Sequence, residues 1–152
     1  MKSLSRRTFL KSTALGGISF AKSRVLGAND DIRVAVIGLG NKGGQHVEVV
    51  RSMRGCRVVG LCDVDPKRIA KRLDPFDDKK VIFTTTDLRR VIDRKDVDVV
   101  VIATCNHWHG PAAVWSCQAG KDVYVEKPIS HNLREGSVMV AAARKYDRIV
   151  QA

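Results

Sequence analysis

Gly38-Leu39-Gly40-Asn41-Lys42-Gly43 places three glycines at G-x-G-x-x-G spacing, directly after an apolar run and at the opening of a helical pattern. Gly38 permits a tight turn, Gly40 lets backbone approach a pyrophosphate, and Gly43 allows close packing of helix on strand. Asn41 and Lys42 lie at the helix N-terminus, where free amide hydrogens and a partial positive charge favour an anion. Glycine alone is weak evidence, because any strand-to-helix turn accepts it. The next apolar run, however, ends in Cys62-Asp63. An acid there can accept hydrogen bonds from both ribose hydroxyls of an adenosine and repel a 2′-phosphate. Gly38, Gly40, Asn41, Lys42, Gly43 and Asp63 are thus candidate ligands of a dinucleotide, NAD in preference to NADP. Lys42, Lys67 and Arg68 lie close enough in sequence to leave NADP open.

Two further segments carry reactive side chains. Ala103-Thr104-Cys105-Asn106-His107-Trp108-His109-Gly110 follows a valine-rich run, and Val125-Glu126-Lys127-Pro128 follows another. Cys105, His107 and His109 raise the question of a metal. Alternating spacing on one short loop does not close a tetrahedron, and no second ligand cluster exists, so no metal is expected. A lysine ammonium at a strand end can stabilise a developing alkoxide or move a proton while hydride leaves carbon. Lys127 could equally be a solvated surface charge and Pro128 merely a turn; the pattern alone does not separate these.

The elements that must position these groups alternate. Strands are expected at Ile32–Ile37, Cys56–Cys62, Val81–Phe83, Val97–Ala103 and Asp122–Val125, with a sixth beginning in Arg148–Gln151. Near-continuous Val/Ile runs are what a parallel sheet covered on both faces requires. Helices are expected at Gly43–Met53, Pro66–Leu73, Leu88–Arg94, Pro111–Ala119 and Leu133–Tyr146. Asp65-Pro66 reads as a cap before a first-turn proline, Asn132 with Glu135 as a capping box, and Gly120 as a C-terminal stop. The pattern predicts an α/β, doubly wound parallel sheet of strand order 3-2-1-4-5-6, a Rossmann domain over residues 32–152. In such a fold the loop after the fourth strand and the end of the fifth meet at the switch point.

Together the glycine loop, Thr104-x-Asn106-x-x-His109, and Ala119-Gly120-Lys121-x-Val123 leading into Glu126-Lys127-Pro128 resemble the Gfo/Idh/MocA oxidoreductase family over roughly residues 31–152. Ser130-His131-Asn132 and Ala143-Arg144-Lys145-Tyr146 are similar to its exported members. The resemblance implies that Thr104, Asn106 and His109 line the dinucleotide and that Glu126 helps seat it. It also implies that Lys127 reaches the nicotinamide and the reacting hydroxyl. Family members often carry proline where Cys105 stands, which bears on the loop's rigidity. They continue into a second α/β domain that supplies the substrate pocket and the oligomer interface. The chain is therefore expected to be the N-terminal portion of an NAD(P)-dependent enzyme that oxidises a secondary hydroxyl of a sugar or polyol, with a homo-oligomer as the family's assembly. Two alternatives stand beside this. One is an NAD-dependent glycosidase that oxidises, eliminates and re-reduces. The other is a truncated fragment, with dinucleotide binding and no turnover.

Ser5-Arg6-Arg7-Thr8-Phe9-Leu10-Lys11 matches the twin-arginine export signal at every position. Ser12–Phe20 is weakly apolar and far shorter than the roughly 20 residues of a membrane span. Ser19-Phe20-Ala21 offers a small-x-small cleavage site. Residues 1–21 are thus expected to be a signal read by the twin-arginine translocase, residues 22–31 a linker, and the mature protein periplasmic or otherwise exported, without a membrane span. Four of the +11 formal charges, on Lys2, Arg6, Arg7 and Lys11, belong to that segment. The other basic residues scatter over helix surfaces without a recognition motif, so nucleic acid is not an expected partner. Cys56 and Cys62 open and close one strand, about 20 Å apart, and Cys62 and Cys105 end strands separated by another. Bridges need Cα separations under about 7 Å, so all four cysteines are expected as thiols.

Overall fold

The computed structural model describes residues 31–152. The expected signal segment 1–21, and the linker as far as residue 30, lie outside the described residues. The chain folds as a six-stranded, wholly parallel sheet of order β3-β2-β1-β4-β5-β6. The strands are β1 (Ile32–Ile37), β2 (Cys56–Cys62), β3 (Phe83–Thr85), β4 (Val99–Ile102), β5 (Asp122–Val125) and β6 (Val150–Gln151). The helices are α1 (Asn41–Ser52), α2 (Pro66–Leu73), α3 (Leu88–Ile92), α4 (His109–Gln118) and α5 (Leu133–Lys145). This is the doubly wound Rossmann arrangement.

Two apolar layers sandwich the sheet. Val34, Val36, Leu61 and Val101 point to one face and pack with Val47 and Val50 of α1 and Ile69 of α2. Ala35, Ile37, Val100, Ile102, Val123 and Val125 point to the other, against α3, α4 and α5 through Val91, Ala113, Cys117 and Met139. Alternate residues of β1 and β4 therefore serve opposite cores. Neither face of the central strands meets water, which explains why both read as unbroken apolar runs.

Several boundaries differ from the sequence expectation. The third strand is Phe83–Thr85, not Val81–Phe83. Lys79–Val81 instead forms a 3₁₀ turn whose preceding Asp78 accepts a bond from Lys80 N at 3.2 Å. The aspartate's local bond to the backbone outcompetes the β preference of Val81. α4 begins at His109 rather than Pro111, which a first-turn proline permits. α1 begins at Asn41, two residues before Gly43. β4 is shorter than expected, Val99–Ile102, and α3 ends at Ile92 rather than Arg94.

The expected caps form. Asp65 accepts from Lys67 N at 2.9 Å. Asn132 accepts from Glu135 N at 3.0 Å while donating Nδ2 to Glu135 Oε1 at 3.0 Å. Gly120 carries φ +76°. The four cysteines are free thiols. No described helix is long and apolar enough to cross a membrane.

Candidate dinucleotide site at the carboxyl ends of the strands

The glycine loop is hung on the end of β2. Gly38, at φ +88°, donates its amide to Cys62 O at 2.8 Å. A Cβ on Gly38 would lie 2.6 Å from the Ala103 carbonyl oxygen, so β4 also presses on the turn. The next amide, Leu39 N, donates to Asp63 Oδ2 at 2.7 Å, and Asp65 N donates to Oδ1 at 2.9 Å. Asp63 is only 6% exposed. Its carboxylate thus fixes the loop, a role the sequence does not announce. Each oxygen keeps acceptor capacity toward a ribose.

Gly43 packs so tightly that a Cβ there would fall into the Gly38 carbonyl. The sequence suggested close packing of helix on strand; the contact is in fact helix on its own loop. Gly40 is the N-cap of α1 and has no side-chain cap. A Cβ on Gly40 would meet only Arg68 Nη1, at 3.5 Å. The backbone at the helix N-terminus is therefore open to a phosphate, and the fit to a dinucleotide rests on that opening.

Two cavities meet over this turn, sharing Arg68, Ala103 and Thr104. One, of about 500 Å³, is lined by Gly40, Asn41, Lys42, Thr104, His109, Glu126 and Lys127 among others. The other, of about 810 Å³, is lined by Gly38, Asp63, Leu88, Cys105, His107, Trp108 and Trp115 among others. The switch-point geometry thus brings together most of the residues singled out in the sequence. Gly43, packed against the Gly38 carbonyl, and Asn106 line neither cavity. Asn106 opens a 3₁₀ turn (Asn106–Trp108) and is exposed.

His109 is 2% exposed. Its Nδ1 lies 2.8 Å from Pro128 O and its Nε2 3.0 Å from Thr104 O. The ring ties the β4 loop to the turn after β5, whose Lys127–Pro128 peptide is cis. His109 borders the cavity, but its nitrogens are occupied by backbone.

Glu126 closes β5, half-buried, with Oε1 2.9 Å from His46 Nε2 and Oε2 accepting from Lys127 N at 3.2 Å. Lys127 follows, exposed and facing the smaller cavity. His46 escaped the sequence reading. Three residues beyond Gly43 on α1, it also meets Tyr124 of β5 edge-on, ring centroids 5.2 Å apart. No local pattern marks it, because its partner Glu126 lies 80 residues away in sequence.

The His46 hydrogen bond holds the Glu126 carboxyl below the usual glutamate range, with the nearby charges of His46 and Lys42 adding to it. At the end of β2, burial pushes the Cys62 thiol up to about 12, and the charges of Asp63 and Asp87 add to the shift. Cys62 is therefore a neutral, inert thiol at neutral pH.

The family model described as "Oxidoreductase family, NAD-binding Rossmann fold", that of Gfo/Idh/MocA, matches residues 32–152. The chain belongs to this family. Among curated relatives, a glycosyl hydrolase family 109 protein of Shewanella baltica is 30% identical over 122 residues, covering 76% of the chain and 27% of the relative. Another protein of that name, from Shewanella sp. (strain ANA-3), is 36% identical over 112 residues, 70% and 25% of the two chains. The chain spans about a quarter of the length of these relatives.

Among solved structures, biliverdin reductase from Synechocystis, in complex with biliverdin and NADP+, superposes at TM-score 0.73 with 28% identity, covering 79% of this chain and 37% of that one. The myo-inositol 2-dehydrogenase of Lactobacillus plantarum superposes at 0.72 with 25% identity, covering 80% and 36%. The cofactor of this Gfo/Idh/MocA domain is NAD or NADP.

The Glu126 shift has a defined pH signature. Its folded-state pKa lies below the unfolded value, so the pairing stabilises above the ordinary carboxyl range and is lost as pH falls through the lowered value. Replacing His46 by alanine should move the Glu126 carboxyl titration upward, toward an ordinary glutamate, in a carbon-detected NMR titration. A midpoint that does not move would show that His46 is not the cause.

Proposed function

We propose that this domain holds NAD(H) as the hydride partner for a secondary hydroxyl of a sugar or polyol, with Lys127 as the group that handles the hydroxyl proton. The observation that carries the reading is the placement of Lys127 beside Glu126 on the same cavity as the open N-terminus of α1. A nicotinamide bound there would supply hydride acceptance at its ring. Asn41, Lys42 and the loop amides bind the phosphates, and Asp63 takes the adenosine ribose and disfavours a 2′-phosphate. Thr104 borders the cofactor, and His109 holds the two walls of the cavity together. Glu126, fixed by His46, accepts the backbone amide of Lys127 on Oε2 and so holds the strand end that carries the lysine. In the oxidation direction the Lys127 amine takes the hydroxyl proton as hydride leaves carbon, and the ammonium so formed hydrogen-bonds the carbonyl oxygen; the reverse reaction returns that proton.

The sugar reading draws support from myo-inositol 2-dehydrogenase among the structural neighbours. A second reading, redox-neutral glycoside cleavage through transient oxidation, is favoured by the glycosyl hydrolase family 109 relatives. It differs in one observable, release of a glycoside's leaving group without net NADH. We also propose that the twin-arginine segment exports the folded, cofactor-loaded protein. An exported enzyme meets little free dinucleotide, so tight cofactor retention or redox-neutral chemistry would suit it.

In assays of the native protein against sugars, polyols and aryl glycosides, Lys127→Ala should lose about 10²–10⁴-fold in turnover while keeping its NADH affinity. Wild-type turnover in that variant would overturn the role of Lys127.

Asp63→Ala should weaken NADH by about 1.5–3 kcal/mol and lower the preference over NADPH. Equal losses for both cofactors would mean that Asp63 only staples the loop.

Changing Arg6 and Arg7 to lysine should leave full-length precursor in the cytoplasm, seen by fractionation. Normal periplasmic recovery of the double variant would remove the export reading.

A further inference from the structure

Glycine occupies four positions through the turn and the first helical residues, and three have a backbone reason. Gly38 has φ +88°, Gly40 leaves the helix terminus open, and Gly43 abuts the Gly38 carbonyl. Gly44 has none of these. It lies inside α1 with no left-handed φ, where alanine is the better helix former. A Cβ on Gly44 would fall within the guanidinium group of Arg72. The missing side chain is a slot, and Arg72 of α2 fills it.

Arg72 reaches across from the neighbouring helix to lie against the glycine loop. Its Nε is 3.5 Å from Leu39 O and its Nη2 3.4 Å from Gly40 O. Both bonds are long, and the fork has five N–H donors. The group is half-buried and lines the smaller cavity with Asn41, Lys42 and Lys71. Arg68, one turn earlier, is paired with Asp63 at 3.9 Å and Asp65 at 3.7 Å. Arg72 has no carboxylate partner among the described residues. A half-buried guanidinium held by two carbonyls, with spare donors beside an open helix N-terminus, suits a doubly charged oxyanion bound at that terminus.

We propose that Arg72, seated in the slot left by Gly44, is a ligand of the cofactor's pyrophosphate. This rests on the dinucleotide reading above and adds to it a side-chain cation from α2, anchored to the carbonyls of the loop whose amides face the phosphates. Gly44 then serves Arg72, as Gly38 and Gly43 serve the turn.

Two variants reach the same group independently. Arg72→Met removes the charge and keeps the stem; Gly44→Ala suits the helix and displaces the guanidinium, whose flexible chain can yield. Each is titrated with NADH, NADPH, ADP-ribose and adenosine at low and high salt, with unfolding midpoints measured alongside and Arg72→Lys as the charge-keeping control. Both variants should bind NADH and ADP-ribose about 10–100-fold more weakly. Adenosine binding should be unchanged, the salt dependence shallower, and Arg72→Lys intermediate. Equal losses for adenosine and ADP-ribose would reduce Arg72 to a support for the loop, and a loss confined to NADPH would place it on a 2′-phosphate. Unchanged NADH binding in either variant would also overturn the proposal. Failure of the unaltered chain to bind NADH at all would overturn the dinucleotide reading itself, and this proposal with it.

Discussion

The carboxylate of Asp63 is the constraint on which the rest of the site depends. Buried at the end of β2, it accepts the Leu39 amide at 2.7 Å, while the carbonyl just before it takes the Gly38 amide at 2.8 Å. Two successive amides of the glycine loop are thus fixed to the neighbouring strand. The loop cannot open without leaving a buried carboxylate short of donors, a loss of about 1–3 kcal/mol or more for a charged group. That anchorage lets the chain leave β1 through a left-handed Gly38 and enter α1 at Asn41 with its terminal amides exposed. The same carboxylate helps to keep the neighbouring Cys62 thiol protonated. A reactive thiolate is thereby suppressed beside the cofactor groove.

A second tie closes the other side of the cavity. β4 and β5 pair in register from Val99 with Asp122 to Ile102 with Val125, so the loops that follow them emerge side by side. His109 bridges those loops through Thr104 O and Pro128 O, and His46 crosses from α1 to Glu126. Three elements that meet only at the sheet's carboxyl edge are therefore connected by two imidazoles. The arrangement leaves the Lys127 side chain exposed on the smaller cavity while its backbone amide is held by Glu126 Oε2. For the proposed proton transfer that division would matter, because a small displacement of a reacting group is expensive in rate.

Much of this is legible in the amino-acid sequence. The parallel, doubly covered sheet followed from apolar runs too continuous for a one-sided sheet, and its strand order from the alternation of strands and helices in a doubly wound fold. The capping aspartates and the Asn132–Glu135 pair announced their helices, since local side-chain bonds need no tertiary context. The third strand was misplaced because Val81 has β character, whereas Asp78 offers the backbone a competing bond. Gly38, Asp63, Glu126 and Lys127 could be found by motif. His46 and Arg72 could not, because their partners lie 80 and about 32 residues away in sequence. Pairings across that distance are set by how α1 packs on the sheet and beside α2, which no local pattern encodes. Asp63's hold on Leu39 was hidden differently. Asp63 is visible in the motif, but Leu39 N reaches its carboxylate only once the glycine loop is folded over the end of β2.

The charges along the cavity are ordered rather than mixed. Asp63 and Asp65 stand at the β2 end with Arg68 over them; Lys42, Lys71 and Arg72 gather around the N-terminus of α1; Glu126 and Lys127 stand at the β5 end. The cations are thus densest in the middle, and a carboxylate sits toward each end. An extended molecule with polar hydroxyls at one end, a dianion at its centre and a neutral or cationic ring at the other matches that sequence of potentials. A uniformly anionic ligand would meet repulsion at both carboxylates, and a polycation would be excluded from the centre. Screening over about 8–10 Å at physiological salt keeps these regions electrostatically distinct. The order of charge along the groove therefore argues for a dinucleotide lying across the sheet edge, independently of the glycine spacing that first suggested it.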